Sequence, residues 1–310
     1  MKSKFAILLL LLCISCTQNE QPIKEVSIVV LGTVQDAGSP QITCKKECCK
    51  DLFTSPDLSR KVTSLGLIDP KSNKKFLFEA TPNIGDQIRL LHQLNNFKNE
   101  APDGVFLTHA HIGHYAGLMF FGKEAMNANK IATYAMPKMR DFLKNNGPWS
   151  QLVLNNNIEI KPLKNEQEFA LTNHIKITPF TVPHRDEFSE TVGYKIKGPN
   201  KTALFIPDID KWEKWNKNII EEIKKVDYAF LDATFFDGKE INNRDISEIP
   251  HPFVSESMTK FGQLEKSEKK KVIFIHFNHT NPLLNSSNQE YKEVIRNGFK
   301  VANIKDVFTL

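Results

Sequence analysis

Apolar residues in this chain come mostly in short runs rich in Val, Ile and Phe, divided by polar stretches and Gly- or Pro-containing turns. That is the spacing of buried strands. Val26 to Leu31 predicts a first strand, and Thr63 to Ile68 and Lys75 to Phe78 predict a pair joined by the turn Asp69-Pro70-Lys71-Ser72-Asn73. Further strands are expected at Val105 to Leu107, Ala132 to Tyr134, Ile158 to Ile160, Ile175 to Val182, Val192 to Ile196, Ala203 to Ile206, Tyr228 to Leu231 and Val272 to Ile275. Asp86 to Leu94, Leu118 to Met126, Pro137 to Asn145 and Trp212 to Lys224 read as helices. Strand pairs early, then strand–helix alternation in each half, predict an α/β sandwich of two sheets covered by helices rather than one doubly wound sheet.

The first residues follow a different pattern. Lys2 and Lys4 precede the continuous apolar run Ala6 to Leu12, too short to span a bilayer, and residues 1–15 read as an export signal. Leu12-Cys13-Ile14-Ser15-Cys16 resembles a bacterial lipoprotein signal, which implies lipidation of Cys16 and a membrane anchor. Cys13 departs from that signal, and cleavage by an ordinary signal peptidase is the alternative. Residues 16–23 are then a polar tether and 24–310 a single domain, exported to the cell envelope and facing the periplasm or the outer surface. Losing Lys2 and Lys4 lowers the formal net charge from +5 to +3, and no basic stripe interleaved with aromatics is present, so nucleic acid is not an expected partner. The Lys-rich run Lys266 to Lys271 reads as a solvated turn.

Candidate chemistry is concentrated at strand ends, where loops on a rigid frame place side chains. Thr108-His109-Ala110-His111-Ile112-Gly113-His114 follows a short buried strand. His109 and His111, two apart in extended chain, point to one side, and Gly113 lets the backbone bring His114 back toward them. Converging imidazoles suit a borderline-soft cation such as zinc. Three more predicted strands end in Pro183-His184-Arg185-Asp186, in Pro207-Asp208-Ile209-Asp210 and in His276-Phe277-Asn278-His279.

In these residues the chain resembles the metallo-β-lactamase superfamily, whose marker H-x-H-x-D-H is followed by a downstream His, a bridging Asp and a last His, each closing a strand. Its opening V-L-G-T-V-Q-D-A-G-S-P-Q and closing H-F-N-H-T-N-P-L-L are similar to the branch that contains the pyrroloquinoline quinone biosynthesis protein B. The resemblance implies the four-layer αββα sandwich. It also implies a first metal held by His109, His111 and His184, with Asp208 bridging to a second held by His114 and His276. The marker's Asp is Gly113 here, so the second metal is expected to lose a carboxylate, with Asp210 the candidate to replace it. Glu79 stands where the family has an Asp that orients a ligand histidine; an ordinary strand-end charge is the other reading.

Cys44, Cys48 and Cys49 permit a disulfide with one thiol left over, or a structural zinc closed by a histidine. Zinc is preferred, with His279 as the fourth ligand: if the last strand runs through His276 and His279, three apart, they leave on opposite faces and serve different ions. A related phosphodiesterase of phosphonate breakdown is similar in pairing an early Cys cluster with the second His of a terminal H-x-x-H, although its cysteines are spaced differently. His92 and His174 read as solvated, His251 as a surface-loop residue in preference to one lining a substrate mouth, and Trp149 as an aromatic wall or a buried turn residue.

The function implied is metal-dependent hydrolysis of an ester, phosphodiester or lactone-type small molecule, with zinc-bound hydroxide near His109, His111, His184 and Asp208 as nucleophile. Iron or manganese would also suit the active-site ligands, and with iron an oxygenase or hydroxylase is the rival. A non-catalytic metal-binding lipoprotein is the second rival, supported by the carboxylate missing at Gly113. A literal role in quinone-cofactor biosynthesis fits poorly with an export signal, because that pathway is intracellular as the family is known.

Overall fold

The computed structural model describes residues 22–241 and 248–310. The expected signal segment, Cys16 and most of the tether lie outside the described residues. No described helix is long and apolar enough to cross a membrane.

The strands are β1 (Ser27–Gly32), β2 (Ser64–Asp69), β3 (Lys74–Phe78), β4 (Gly104–Phe106), β5 (Ile131–Ala135), β6 (Ile158–Pro162), β7 (Phe169–Ala170), β8 (Lys176–Thr181), β9 (Val192–Lys197), β10 (Thr202–Ile206), β11 (Tyr228–Asp232), β12 (Val272–Ile275), β13 (Lys300–Val301) and β14 (Val307–Thr309). They form two seven-stranded sheets, β14-β1-β2-β3-β4-β5-β6 and β13-β12-β11-β10-β9-β8-β7. The helices are α1 (Ile84–Gln93), α2 (Ile112–Tyr115), α3 (Pro137–Asn145), α4 (Trp149–Leu154), α5 (Ile219–Lys224), α6 (Val254–Phe261), α7 (Lys266–Lys269) and α8 (Gln289–Arg296).

Strand alternation explains the layering. Ile28 and Val30 of β1 point into a core between the sheets with Phe78, Phe106, Tyr194 and Phe205. Val29 and Leu31 point the other way, beneath Ile88 and Leu91 of α1. In the second sheet Phe205 faces the inner core, whereas Leu204 and Ile206 face Ile223, Val254 and Phe261 of the outer helices. Both faces of each sheet are therefore apolar, as the nearly continuous hydrophobic runs require, and helices cover the two outer ones. The result is the expected four-layer αββα sandwich.

Strand direction decides where the chemistry collects. β3 to β6 run parallel, and so do β10 to β13. β8 is antiparallel to β9 and β9 to β10, so two reversals return β8 to the direction of β10. The same arithmetic through β2 returns β1 to the direction of β3. The C-terminal ends of β1, β3, β4, β8, β10, β11 and β12 thus meet at one rim, where Val34 bridges to both Val62 and Phe277.

Two expected helices are not formed as read. Leu118 to Met126 belongs instead to a 3₁₀ segment, Ala116–Phe121, followed by turns. The Gly117 amide donates to the Ala80 carbonyl (2.8 Å) and Ala80 donates to the His114 carbonyl (2.9 Å), so tertiary bonds take groups a helix would need. Trp212 to Lys224 is divided into a 3₁₀ turn, Trp212–Lys214, and α5. Here the Trp212 indole donates to Ser257 (2.9 Å), the Trp215 indole to the Thr181 carbonyl (3.1 Å), and Asn218 caps α5 through the Ile220 amide. The lysine run predicted as a turn contains α7, and α4, α6 and α8 had no counterpart in the sequence reading.

Candidate metal centre

His111 caps the start of α2 in extended conformation, and His109 precedes it on the same side of the chain. The His109 and His111 rings bring Nε2 and Nδ1 to 2.8 Å. From the second sheet, Asp208 approaches His109 Nε2 (3.3 Å) through Oδ2 and His184 Nε2 (3.2 Å) through Oδ1. One donor atom from each of His109, His111, His184 and Asp208 lies within 4.8 Å of all the others. The expected first set is brought together.

A second group contains Asp36, His114 and His276, again with donors mutually within 4.8 Å. His114 Nε2 is 3.8 Å from Asp208 Oδ2, which links the two groups. Asp210, the expected replacement carboxylate, is elsewhere: it accepts from the Lys211 amide (2.7 Å) and pairs with Lys214 (2.8 Å). Its carboxylate, engaged with Lys211 and Lys214, joins neither donor group. Glu79 is no ordinary strand-end charge, because it is buried, 3.3 Å from His114 Nδ1, and accepts from the Thr108 hydroxyl (2.5 Å). Glu79 (φ 79°) and His276 (φ 72°) both hold left-handed backbone conformations that cost non-glycine residues energy, a pattern concentrated at functional sites.

Behind these groups lies a buried network not foreseen from sequence. Thr234 Oγ1 donates to Asp232 (2.7 Å) and meets His276 Nδ1 (2.9 Å). His251 Nδ1 lies between Asp232 (3.0 Å) and Asp208 (3.1 Å). His251 was expected on a surface loop; it is buried, because Ile249 and Phe253 on either side pack inward and carry it to the rim. Asp232 ends β11 as Asp208 follows β10, so the strand-end rule applied to one more strand would have found it. His92 and His174 are not simply solvated either: His92 Nδ1 is 3.5 Å from Lys75 Nζ, and His174 Nδ1 is 3.0 Å from buried Asp69. Trp149 packs against Tyr115 at 4.9 Å between ring centroids and opens α4.

Electrostatics follow from burial and charge. Burial pushes the His109 pKa well below the usual imidazole range and that of His111 down to about 4, leaving each ring neutral with one nitrogen lone pair able to ligate. Burial also opposes charge on His114, but Glu79, Asp36 and Asp208 override it and lift its pKa to about 9. Burial likewise opposes ionisation of Asp208, and His184 and His251 outweigh it, holding the carboxyl well below its ordinary value.

The donor set fits a metal ion. Among the described residues, ten buried side-chain polar atoms make no hydrogen bond, and seven belong here: Glu79 Oε2, both nitrogens of His114 and of His184, Asp208 Oδ1 and His276 Nε2; of these, His114 Nδ1, His184 Nε2 and Asp208 Oδ1 have only ion-pair contacts of 3.1–3.3 Å. Each such atom ordinarily costs about 1–3 kcal/mol, so their concentration at one point is what a bound cation would relieve. Imidazole and carboxylate suit zinc, and also iron or manganese.

The thiols form a separate cluster. Cys44, Cys48 and Cys49 are free, so no disulfide forms among them, and their sulfurs lie with a ring nitrogen of His279 within 4.8 Å. His276 and His279 do serve different groups, though not by strand parity: β12 ends at Ile275, and the chain turns at His276. Asn278 instead orients His279, its Oδ1 lying 2.7 Å from Nδ1.

Comparison with known proteins agrees with this architecture. A family model described as the beta-lactamase superfamily domain matches residues 74–277, more than half of the chain. The chain is 22% identical over 303 residues to the coenzyme PQQ synthesis protein B of Methylorubrum extorquens (strain PA1), covering 89% of this chain and 97% of the relative. The crystal structure of Zn(2+)-bound PqqB from Methylobacterium extorquens superposes with a TM-score of 0.76 at 21% identity, covering 92% of this chain and 100% of that one. A diphosphatase from the PhnP family superposes at 0.66 with 20% identity, covering 93% and 98%. With the matched model, the αββα sandwich and the strand-end His/Asp rim in agreement, the chain belongs to the metallo-β-lactamase superfamily.

Proposed function

We propose that this protein is a metal-dependent hydrolase acting on an ester, phosphodiester or lactone-type small molecule. The observation that carries the reading is the convergence of His109, His111, His184 and Asp208 on one point, with unpartnered buried donors around it. A divalent ion, zinc by donor chemistry, would supply Lewis-acid polarisation and lower the pKa of a water bound to it to about 7. His109 and His111 present neutral rings, His184 adds a third imidazole, and Asp208 presents a carboxylate that stays ionised. Asp208 can also orient a water for attack, since its oxygens reach both halves of the rim. His251 holds Asp208 in that orientation through Nδ1 and is itself fixed by Asp232. A solved structure named a diphosphatase, alike in fold, supports hydrolysis.

The test is metal analysis of the full chain together with a chromogenic panel of phosphodiester, lactone and β-lactam substrates. Asp208→Ala should lose metal from the histidine cluster and at least about 100-fold in turnover, more than loss of an outer partner of a metal ligand usually costs. A parent protein that binds no metal there removes the hydrolase reading. Oxygen-dependent turnover with iron would replace it by the oxygenase.

A further inference from the structure

We propose that Asp36 supplies the carboxylate of a second divalent-ion position, completed by His114 and His276, and that Gly113 is glycine because the Asp36 loop passes through the space a side chain there would fill. The proposal rests on the metal-hydrolase reading and adds a ligand to that same rim.

Three observations carry it. The donors of Asp36, His114 and His276 lie within 4.8 Å of one another. His276 Nε2 and His114 Nε2 are buried without a hydrogen-bond partner, while Nδ1 of each ring is held from behind by Thr234 (2.9 Å) and Glu79 (3.3 Å), respectively, so both rings present a free Nε2 toward the same space. Finally, a Cβ on Gly113 would lie 2.3 Å from Asp36 Cβ, 2.5 Å from its carbonyl oxygen and 2.7 Å from its Cα. Two of those contacts are backbone, so truncating Asp36 would not make room. The carboxylate absent from position 113 and the carboxylate present at position 36 are thus one structural exchange.

The loop is held for this role. The Gln35 amide donates to the Phe277 carbonyl (2.8 Å) and the Phe277 amide to the Thr33 carbonyl (2.7 Å), placing Asp36 beside His276. The Gln35 side-chain amide donates to Asp36 Oδ1, leaving Oδ2 to reach an ion. A hard carboxylate oxygen with two imidazoles and access to Asp208 is a donor set for zinc or manganese.

The experiment titrates metal-free full chain with Co²⁺ alone, following thiolate charge-transfer bands for the cysteine cluster and d–d bands for the rim, with calorimetry for affinity. The parent should take up two ions at the rim besides the thiolate-bound one. Asp36→Asn should weaken one rim ion by at least tenfold with the thiolate bands and the other rim ion unchanged, and Asp36→Glu should recover part of that affinity. Unchanged stoichiometry and affinity in Asp36→Asn overturns the proposal, as does a parent that holds a single rim ion, although the hydrolase reading then stands. A parent with no rim ion removes both. Should Asp36→Asn fold poorly by circular dichroism, Asp36→Glu decides by its own shift in rim affinity: a change supports ligation, none overturns it.

Discussion

The chain carries two donor clusters that flank one turn, and they differ in nearly every physical respect. Cys44, Cys48 and Cys49 come from a few residues of one loop and need only His279 from afar. Their sulfurs are soft, they include no carboxylate, and burial pushes the Cys49 thiol up to about 12 in the metal-free protein, so an ion there must displace protons. The rim cluster gathers His109, His111, His184, Asp208, Asp36, His114 and His276 from the ends of strands in both sheets. Burial keeps the His109 and His111 rings neutral, each with a lone-pair nitrogen to offer, and carboxylates tie the group together. A closed set made of neighbours in sequence suits a structural ion that clamps a loop, whereas an assembled set of imidazoles and carboxylates suits an ion that must keep a position for substrate. An ion at the thiols would also steady the rim, since residues 36–49 lead from Asp36 to the thiols and His276 leads to His279.

The largest effect that tests this distinction is on stability. Cys49→Ser should release one metal equivalent and lower the melting temperature by at least about 5 °C, because a closed site contributes folding energy directly. His109→Ala should release rim metal with a shift of less than half that size, measured by the same scan. Equal shifts would erase the contrast between a clamp and a reactive centre.

A middle-sized effect concerns the network behind the rim. Thr234→Val removes the hydroxyl that touches Asp232, His251 and His276. Rim affinity for zinc should fall about 10- to 100-fold, as when other partners of metal ligands are lost, while the thiol cluster keeps its ion. Competition against a chelator reads both.

The smallest effect lies away from both clusters. Burial lowers the Lys75 pKa to about 8, whereas an unfolded lysine titrates near about 10.4. Between those values the unfolded chain binds more protons, so stability should rise with pH from about 8 to about 10. Lys75→Met should flatten that slope in denaturant titrations of the metal-loaded protein. A slope that persists would assign the alkaline limb to the clusters instead.

Much of the rim was legible because its residues follow short apolar runs. His109, His111, His114, His184, Asp208 and His276 each follow such a run, so hydrophobic patterning marked them as strand-end candidates, and the resemblance to the superfamily grouped them into one site. The same rule reaches Asp232, one residue past the predicted strand Tyr228 to Leu231. Asp36 and His251 were not legible this way. Asp36 lies four residues beyond β1, and nothing in Gln35-Asp36-Ala37-Gly38 distinguishes a ligand from a turn. His251, between two prolines, has the local signature of an exposed loop, and only the packing of Ile249 and Phe253 takes it inside. The two broken helices failed for a related reason: local periodicity was helical, but Ala80, Ser257 and Thr181 offered stronger partners from distant parts of the chain.

The sequence by itself determined the alternation of apolar runs, hence two sheets with both faces buried, and the residue types available at their ends. Only the tertiary structure decided which loop brings a carboxylate beside Gly113 and His276. Strand direction is set by the number of reversals between neighbours, and two reversals bring the end of β1 to the same rim as β4 and β12. Asp36 therefore stands against Gly113 and His276 although 77 and 240 residues separate them in the chain, a proximity that no local pattern encodes.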